Sequence, residues 1–233
     1  MVIYMWGNVN TTMYKMTDDG SSIYSSITLS VTSNEVQGVG IDSDGCIWAV
    51  GRGGTEKISK LNQSGTEVSS WSRTSDCRGL GVDANDCIWV SGNPGPAGTL
   101  YKCNQSGSVI SSFAGGNHGV EGIGFDSDGC VWFNMLGTNK VYKSTEAGSL
   151  ISSWAAPSSD SRGMTLDSDG CIWLNDVGTD KHYKINQAGS IVSSFAMSTD
   201  NTFGIAFEVP APTSEYLDPN SDDGVNQWTA IPT

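Results

Sequence analysis

The chain has 233 residues, with 12 basic and 25 acidic side chains and a net charge of −13, so nucleic acid and anionic membranes are excluded as partners. That length suffices for one or two domains with a sizeable core, without a metal or disulfide staple. Twenty-nine Gly, eight Trp and only 16% charged residues make the chain too aromatic for disorder and too glycine-rich for a helical bundle.

In chain order, one unit recurs. Residues 38–50 (GVGIDSDGCIWAV), 79–91 (GLGVDANDCIWVS), 122–134 (GIGFDSDGCVWFN) and 163–175 (GMTLDSDGCIWLN) are four copies of a first half, with Trp48, Trp89, Trp132 and Trp173 spaced by 41, 43 and 41 residues. Each copy is followed by a Tyr-Lys or Ser-Lys stretch and then a V/I-S-S-W/F stretch, ending at Trp71, Phe113, Trp154 and Phe195. Upstream, Trp6 and MYKMTDDGSSIYSS supply the later strands of a unit whose first strand, FGIAFE, stands at residues 203–208.

Four short β-runs per unit, separated by turn residues at a period of 40–45, are the signature of a β-propeller blade. The expected fold is an all-β, five-bladed propeller with four antiparallel strands per blade. One blade is closed by pairing of residues 203–209 with residues 2–8, and the termini share it because an unpaired blade edge invites aggregation. The predicted domain spans residues 1–209. Residues 210–233, rich in Pro and Asp, read as a tail, linker or strap.

The Asp44-Gly45 turn and its copies predict type I′ hairpins, with Asp42 bonding the turn's own N–H groups rather than calcium. Cys46, Cys87, Cys130 and Cys171 hold equivalent places, too far apart for disulfides, and with no C-x-x-C spacing they read as buried small hydrophobes. Free thiols, and an N-terminus without the basic and apolar regions of a signal peptide, predict the cytoplasm or a particle assembled in a reducing cytoplasm. The Trp and Phe sets predict blade-to-blade packing. Lys15, Lys60, Lys102, Lys143 and Lys184 predict a solvated outer row.

The run G-x-x-x-D-S-D-G-x-I-W, followed by the Tyr-Lys strand and S-G-x-x-x-S-S-F/W, resembles the NHL repeat and its relatives of the streptogramin lyase group. The resemblance covers nearly all of residues 1–209 and implies the propeller fold. Known members have six or seven blades, and the lyases carry a metal held by Glu and His beside a catalytic His. Here there are two His, and no Glu-His motif accompanies the repeat. No metal, cofactor or catalytic residue is therefore assigned.

Loop variation points to the functional face. The first-to-second and third-to-fourth strand turns keep their lengths, whereas the other two connections, on the opposite face, vary. Loops on a rigid scaffold carry binding. Arg52, His118, Asn134 and Asn175 lie in or beside them. The residue before each inner-strand Gly (Gln37, Arg78, Glu121, Arg162, and Phe203) is expected at the channel mouth, a chemically mixed ring. Arg78 and Arg162 could clamp an anion, or Glu121 could tie them together. His182 reads as structural. The expected function is a monomeric, non-enzymatic module binding a protein or carbohydrate on the variable-loop face. The alternatives are a lyase- or lactonase-like enzyme, or a structural module of a larger, phage-related surface protein.

Overall fold

The computed structural model describes residues 4–9, 11–17, 22–29, 35–52, 57–73, 77–92, 98–116, 118–196 and 203–207. Their regular structure is entirely β. The chain opens with β1 (Tyr4–Val9), β2 (Thr12–Thr17) and β3 (Ile23–Thr28). Four blades follow, each an antiparallel sheet of consecutive strands. The first has β4 (Glu35–Ile41), β5 (Ile47–Arg52), β6 (Lys57–Leu61) and β7 (Glu67–Ser72). The second has β8 (Leu80–Val82), β9 (Ile88–Gly92), β10 (Gly98–Cys103) and β11 (Val109–Gly116). The third has β12 (Val120–Phe125), β13 (Val131–Met135), β14 (Lys140–Ser144) and β15 (Leu150–Ala155). The fourth has β16 (Ser161–Leu166), β17 (Ile172–Asp176), β18 (Lys181–Ile185) and β19 (Ile191–Ala196).

The all-β propeller is as the repeat predicts, with four blades built from consecutive strands where five blades were expected. The remaining sheet is composite. The last described strand, β20 (Ile205–Phe207), lies antiparallel to β1 with Met5 opposite Phe207, Trp6 opposite Ala206 and Gly7 opposite Ile205. The sheet order is β20-β1-β2-β3. The innermost strands β4, β8, β12, β16 and β20 touch in that cyclic order, and β20 also touches β4. Close approach of these strands requires glycine: a Cβ on Gly122 would lie 2.5 Å from the backbone nitrogen of Met164. The tail at 210–233 lies outside the described residues.

The turns differ from the type I′ expectation. Asp42 N–H donates to the Cys46 carbonyl and Gly45 N–H to the Asp42 carbonyl, closing a three-residue loop with only its last residue at positive φ, Gly45 at 76°. This is a type I turn followed by a left-handed residue, the other common hairpin connection. It frees Asp44 from the left-handed region. Asn62 to Gly65 repeats the geometry, with Gly65 at φ 82°. In the second blade Asp86 takes the glycine position at φ 56°. Its carboxylate accepts hydrogen bonds from Ser43 N (2.8 Å) and Ser43 Oγ (2.5 Å) of the first blade, offsetting a left-handed penalty of about 1 kcal/mol.

The turn aspartate reaches further than its own hairpin. Asp126 Oδ1 accepts from Cys130 N at 2.9 Å, while Oδ2 accepts from Trp132 Nε1 at 2.9 Å and pairs with Lys143 Nζ at 2.8 Å. The same three donors meet Asp42 (Cys46, Trp48, Lys60), Asp83 (Cys87, Trp89, Lys102) and Asp167 (Cys171, Trp173, Lys184). The lysine arrives because each Trp pairs directly across the sheet with it: Trp48 with Lys60, Trp89 with Lys102, Trp132 with Lys143, Trp173 with Lys184. Each ammonium also stands 5.1–5.5 Å from its Trp ring centroid. These lysines are therefore not a solvated outer row. They neutralise buried carboxylates, with side chains only 11–23% exposed.

Blades are joined through the same lysines and through aromatic rings. Lys60 reaches Gln105 of the next blade, Lys102 reaches Glu146, and Lys143 reaches Gln187. The four Trp on β5, β9, β13 and β17 are fully buried, each worth about 4–6 kcal/mol of transfer free energy as an upper bound. Trp89 contacts Phe113 in its own blade and Phe125 in the next, as Trp173 contacts Phe195 and Phe207. The expected inter-blade aromatic packing is present. All six cysteines are free: Cys77 and Cys103 are buried, while the four at the repeat position are only half-buried.

Asp126→Asn is expected to cost about 3 kcal/mol, because the amide cannot neutralise Lys143 at a site 1% exposed. Asp128→Asn, exposed in the same turn, should stay within about 0.5 kcal/mol. Urea denaturation of both variants checks the contrast.

Candidate functional site

The residues ahead of the inner strands come together at the end of the channel that carries the variable loops. Arg78 Nη1 lies 2.8 Å from Glu121 Oε1, and Arg162 Nη1 lies 3.6 Å from Glu121 Oε2. One carboxylate thus stands between guanidinium groups of the blades on either side. Glu121 is almost wholly buried, and the two arginines keep about a fifth of their side-chain surface, at 19% and 20%. Arg162 Nε also donates to Asp160 Oδ1 at 2.6 Å, and its guanidinium carbon lies 5.7 Å from the Phe203 ring. Ser91 Oγ accepts from the backbone N–H groups of Arg78 and Gly79, fixing the approach of the first arginine. Gln37 is buried within β4. The geometry is that of a tie between blades, with one edge of each arginine and the half-exposed Phe203 left at the mouth.

The remaining candidates do not join this ring. His118 is exposed and sits beside the β13–β14 turn, where a Cβ on Gly137 would lie 3.3 Å from its Nδ1. Among the described residues no hydrogen bond or ion pair joins it to Glu121, whose carboxylate is taken by the two arginines. Arg52 ends β5, and its side chain lies outside the described residues. Asn134 and Asn175 are buried rather than presented to a ligand. Asn134 Nδ2 donates to the Ser161 carbonyl at 2.7 Å and Asn175 Nδ2 to the Gly204 carbonyl at 3.4 Å, each tying its blade to the next inner strand.

The two asparagines differ in what faces them. Asn175 Oδ1 meets His182 Nδ1 at 2.5 Å, its cross-strand partner. Asn134 pairs across the sheet with Val141, and its Oδ1 has no hydrogen-bond partner among the described residues. A single side-chain difference between blades accounts for the orphaned oxygen. Sequence reasoning also missed Asp176, fully buried, which accepts from Ser158 Oγ, Ser161 Oγ and both Thr179 N and Oγ1. The spacing of Ser158, Ser161 and Thr179 about Asp176 was the available signal.

The metal that the lyase resemblance implies does not fit these residues. Both oxygens of Glu121 face arginines, whose charge repels a cation, and His118 stands apart. Among the described residues no three His, Cys, Asp or Glu side chains converge to hold an ion.

Two predictions follow from these contacts. Burial pushes His182 down from 6.5 to about 4, so the folded protein binds this proton later than the unfolded chain does. The resulting stability is complete above about pH 6.5 and is lost as pH falls to about 4, amounting to about 3 kcal/mol. His182→Leu should be less stable at neutral pH and should lose this slope between pH 6.5 and 4 in urea titrations. Arg78→Ala should cost about 1–3 kcal/mol, because a buried carboxylate loses its close partner. Arg162→Ala should cost less, since its closest partner, Asp160, is 36% exposed. Glu121→Gln in the Arg78→Ala background should restore part of the loss, read by thermal and urea denaturation as a double-mutant cycle.

No family model matches the sequence, and no curated protein does. Solved structures do match. A protein of unknown function from Bacteroides caccae is 14% identical with a TM-score of 0.57, over 84% of this chain and 73% of that one. Virginiamycin B lyase from Staphylococcus aureus is 20% identical with a TM-score of 0.54, over 82% of this chain and 64% of the lyase. A luciferin-regenerating enzyme is 14% identical with a TM-score of 0.57, over 87% of this chain and 74% of that one. Likeness at such identities concerns the fold alone, and at that level the chain resembles the streptogramin-lyase-like β-propellers.

Proposed function

We propose that the chain is a non-catalytic binding module in which the composite sheet acts as the fifth blade of a closed ring, residues 1–209. In this reading it works as a monomer and recognises a protein or glycan on the face that carries the variable loops. The observation that carries this is the mixed ring of Arg78, Glu121, Arg162 and Phe203 on a scaffold whose buried Asp, Trp and Lys stations are the same in all four blades of consecutive strands. A scaffold held by repeated ties keeps its core residues constant while this rim differs from blade to blade. Phe203 offers an apolar face and the arginines offer N–H donors, a combination suited to the ring and hydroxyls of a sugar or to a polar peptide.

A glycan array probed with the purified protein tests this. Binding should fall at least tenfold in Phe203→Ala and in Arg162→Gln, while Asp128→Asn on the opposite face leaves it unchanged. Hits indifferent to both rim variants, or lost in Asp128→Asn, would overturn the assignment of the face.

A further inference from the structure

The opposite end of the channel, where the short turns lie, holds a cavity of about 470 Å³. Small-molecule sites usually occupy about 300–1,000 Å³, so this space suits an organic ligand rather than a lone ion. Its apolar wall is made by the ends of three inner strands: Ile41 of β4, Val82 of β8 and Phe125 of β12. Each is half-exposed. The rim is polar, with Ser127 and Ser168 exposed from the third and fourth blades and Asp86, half-buried and hydrogen-bonded to Ser43, from the second.

Charge at this rim is one-sided. The lysines of the turn face are already committed: Lys60, Lys102, Lys143 and Lys184 each stand within 3.0 Å of a buried turn carboxylate. Just outside the cavity lining, the exposed turn carboxylates have no cation so close among the described residues. Asp44 is 77% exposed and 4.0 Å from Lys60, which is closer to Asp42. Asp128 and Asp169 are exposed in the same turn position of the third and fourth blades. The wall also breaks the repeat. Gly45, Gly129 and Gly170 occupy one turn position at φ 75–76°, and Asp86 alone adds a carboxylate there.

We propose that this cavity binds a small organic cation with an apolar body, such as an aliphatic or arylalkyl amine. The body lies against Ile41, Val82 and Phe125. The ammonium donates to the Ser127 and Ser168 hydroxyls and faces the Asp86 carboxylate of the lining. A neutral molecule of the same shape gains only the apolar contact, and an anion meets repulsion at an entrance of low dielectric. The site is independent of the variable-loop face and of any ligand there.

Isothermal titration calorimetry with 2-phenylethylammonium, 2-phenylethanol and phenylacetate, at low salt and neutral pH, tests the proposal. The amine should saturate one site with a dissociation constant on the order of 1 mM, as expected for so small a ligand. Affinity should weaken at raised ionic strength. The alcohol should bind at least tenfold more weakly, and phenylacetate not at all. Asp86→Gly restores the repeat's own glycine and should weaken the amine at least threefold. Ala84→Trp, at an exposed cavity-lining position, should block it while leaving the melting temperature within a few degrees. Equal binding of the three probes, amine binding unchanged in Ala84→Trp, or no saturation at 10-fold above the expected constant would each overturn the proposal.

Discussion

A buried carboxylate at the start of each first hairpin organises every complete blade, because three unlike donors must reach it at once. Its own turn supplies a backbone N–H, the second strand an indole N–H, and the third strand an ammonium. A tryptophan can be buried completely only if its Nε1 finds an acceptor, and a carboxylate only if it finds a counter-charge. The aspartate meets both requirements, so the largest apolar side chain in the blade and the hairpin geometry are fixed by one group. Burial pushes Asp42, Asp83 and Asp126 upward, but hydrogen bonds from lysine, indole and backbone outweigh it and hold them below the ordinary carboxylate value. The stabilisation is therefore present above about pH 4 and lost as pH falls below it.

From that group the blades are coupled in sequence. A lysine held at its own aspartate still extends to the third turn of the next blade, so the charge pair within one sheet positions the neighbour. The turn it touches carries a glycine in the left-handed region, pressed on an aromatic ring of the preceding blade: a Cβ on Gly148 would lie 2.7 Å from Phe113, and one on Gly107 2.6 Å from Trp71. The glycine of each such turn thus meets two demands, a positive φ and the absence of a side chain. Neither contact is local in sequence. Each spans about one repeat, which makes adjacent blades cooperative while leaving distant ones independent.

Much of this was legible because the repeat itself is redundant. Period, strand number and the pairing of both chain ends could be read from Trp spacing and from FGIAFE. The turn type could not, since Asp-Gly favours I′ only in a two-residue loop, and the loop closes from Asp42 to Cys46 instead. The lysine row was misread for a related reason. Regular spacing identifies one face of a strand, but the acceptor lies on another strand, and only the Trp–Lys register brings them together. Asn134 and Asn175 stand near the end of a strand beside a variable loop, a place that by sequence alone suggests the rim. Their amides turn inward to the Ser161 and Gly204 carbonyls, a destination 27 and 29 residues away rather than among nearby residues. The sharing of Glu121 by two arginines depends on distances that no spacing supplies.

The two ends of the channel are built on opposite principles, and the repeat explains why. At the turn end, charge balance is a condition of folding: Lys60, Lys102, Lys143 and Lys184 are each held by a buried carboxylate, so further aspartates in the turns remain as surplus negative charge. At the loop end no buried group must recur, so Arg78, Glu121, Arg162 and Phe203 can differ from blade to blade. Basic side chains such as Lys140 and Lys181 also start the third strands there. The net charge of −13 is therefore not spread evenly over the molecule. Within a screening length of about 8–10 Å a ligand responds to the nearer end rather than to the whole. An acidic chain can thus present guanidinium groups at one mouth while repelling anions at the other.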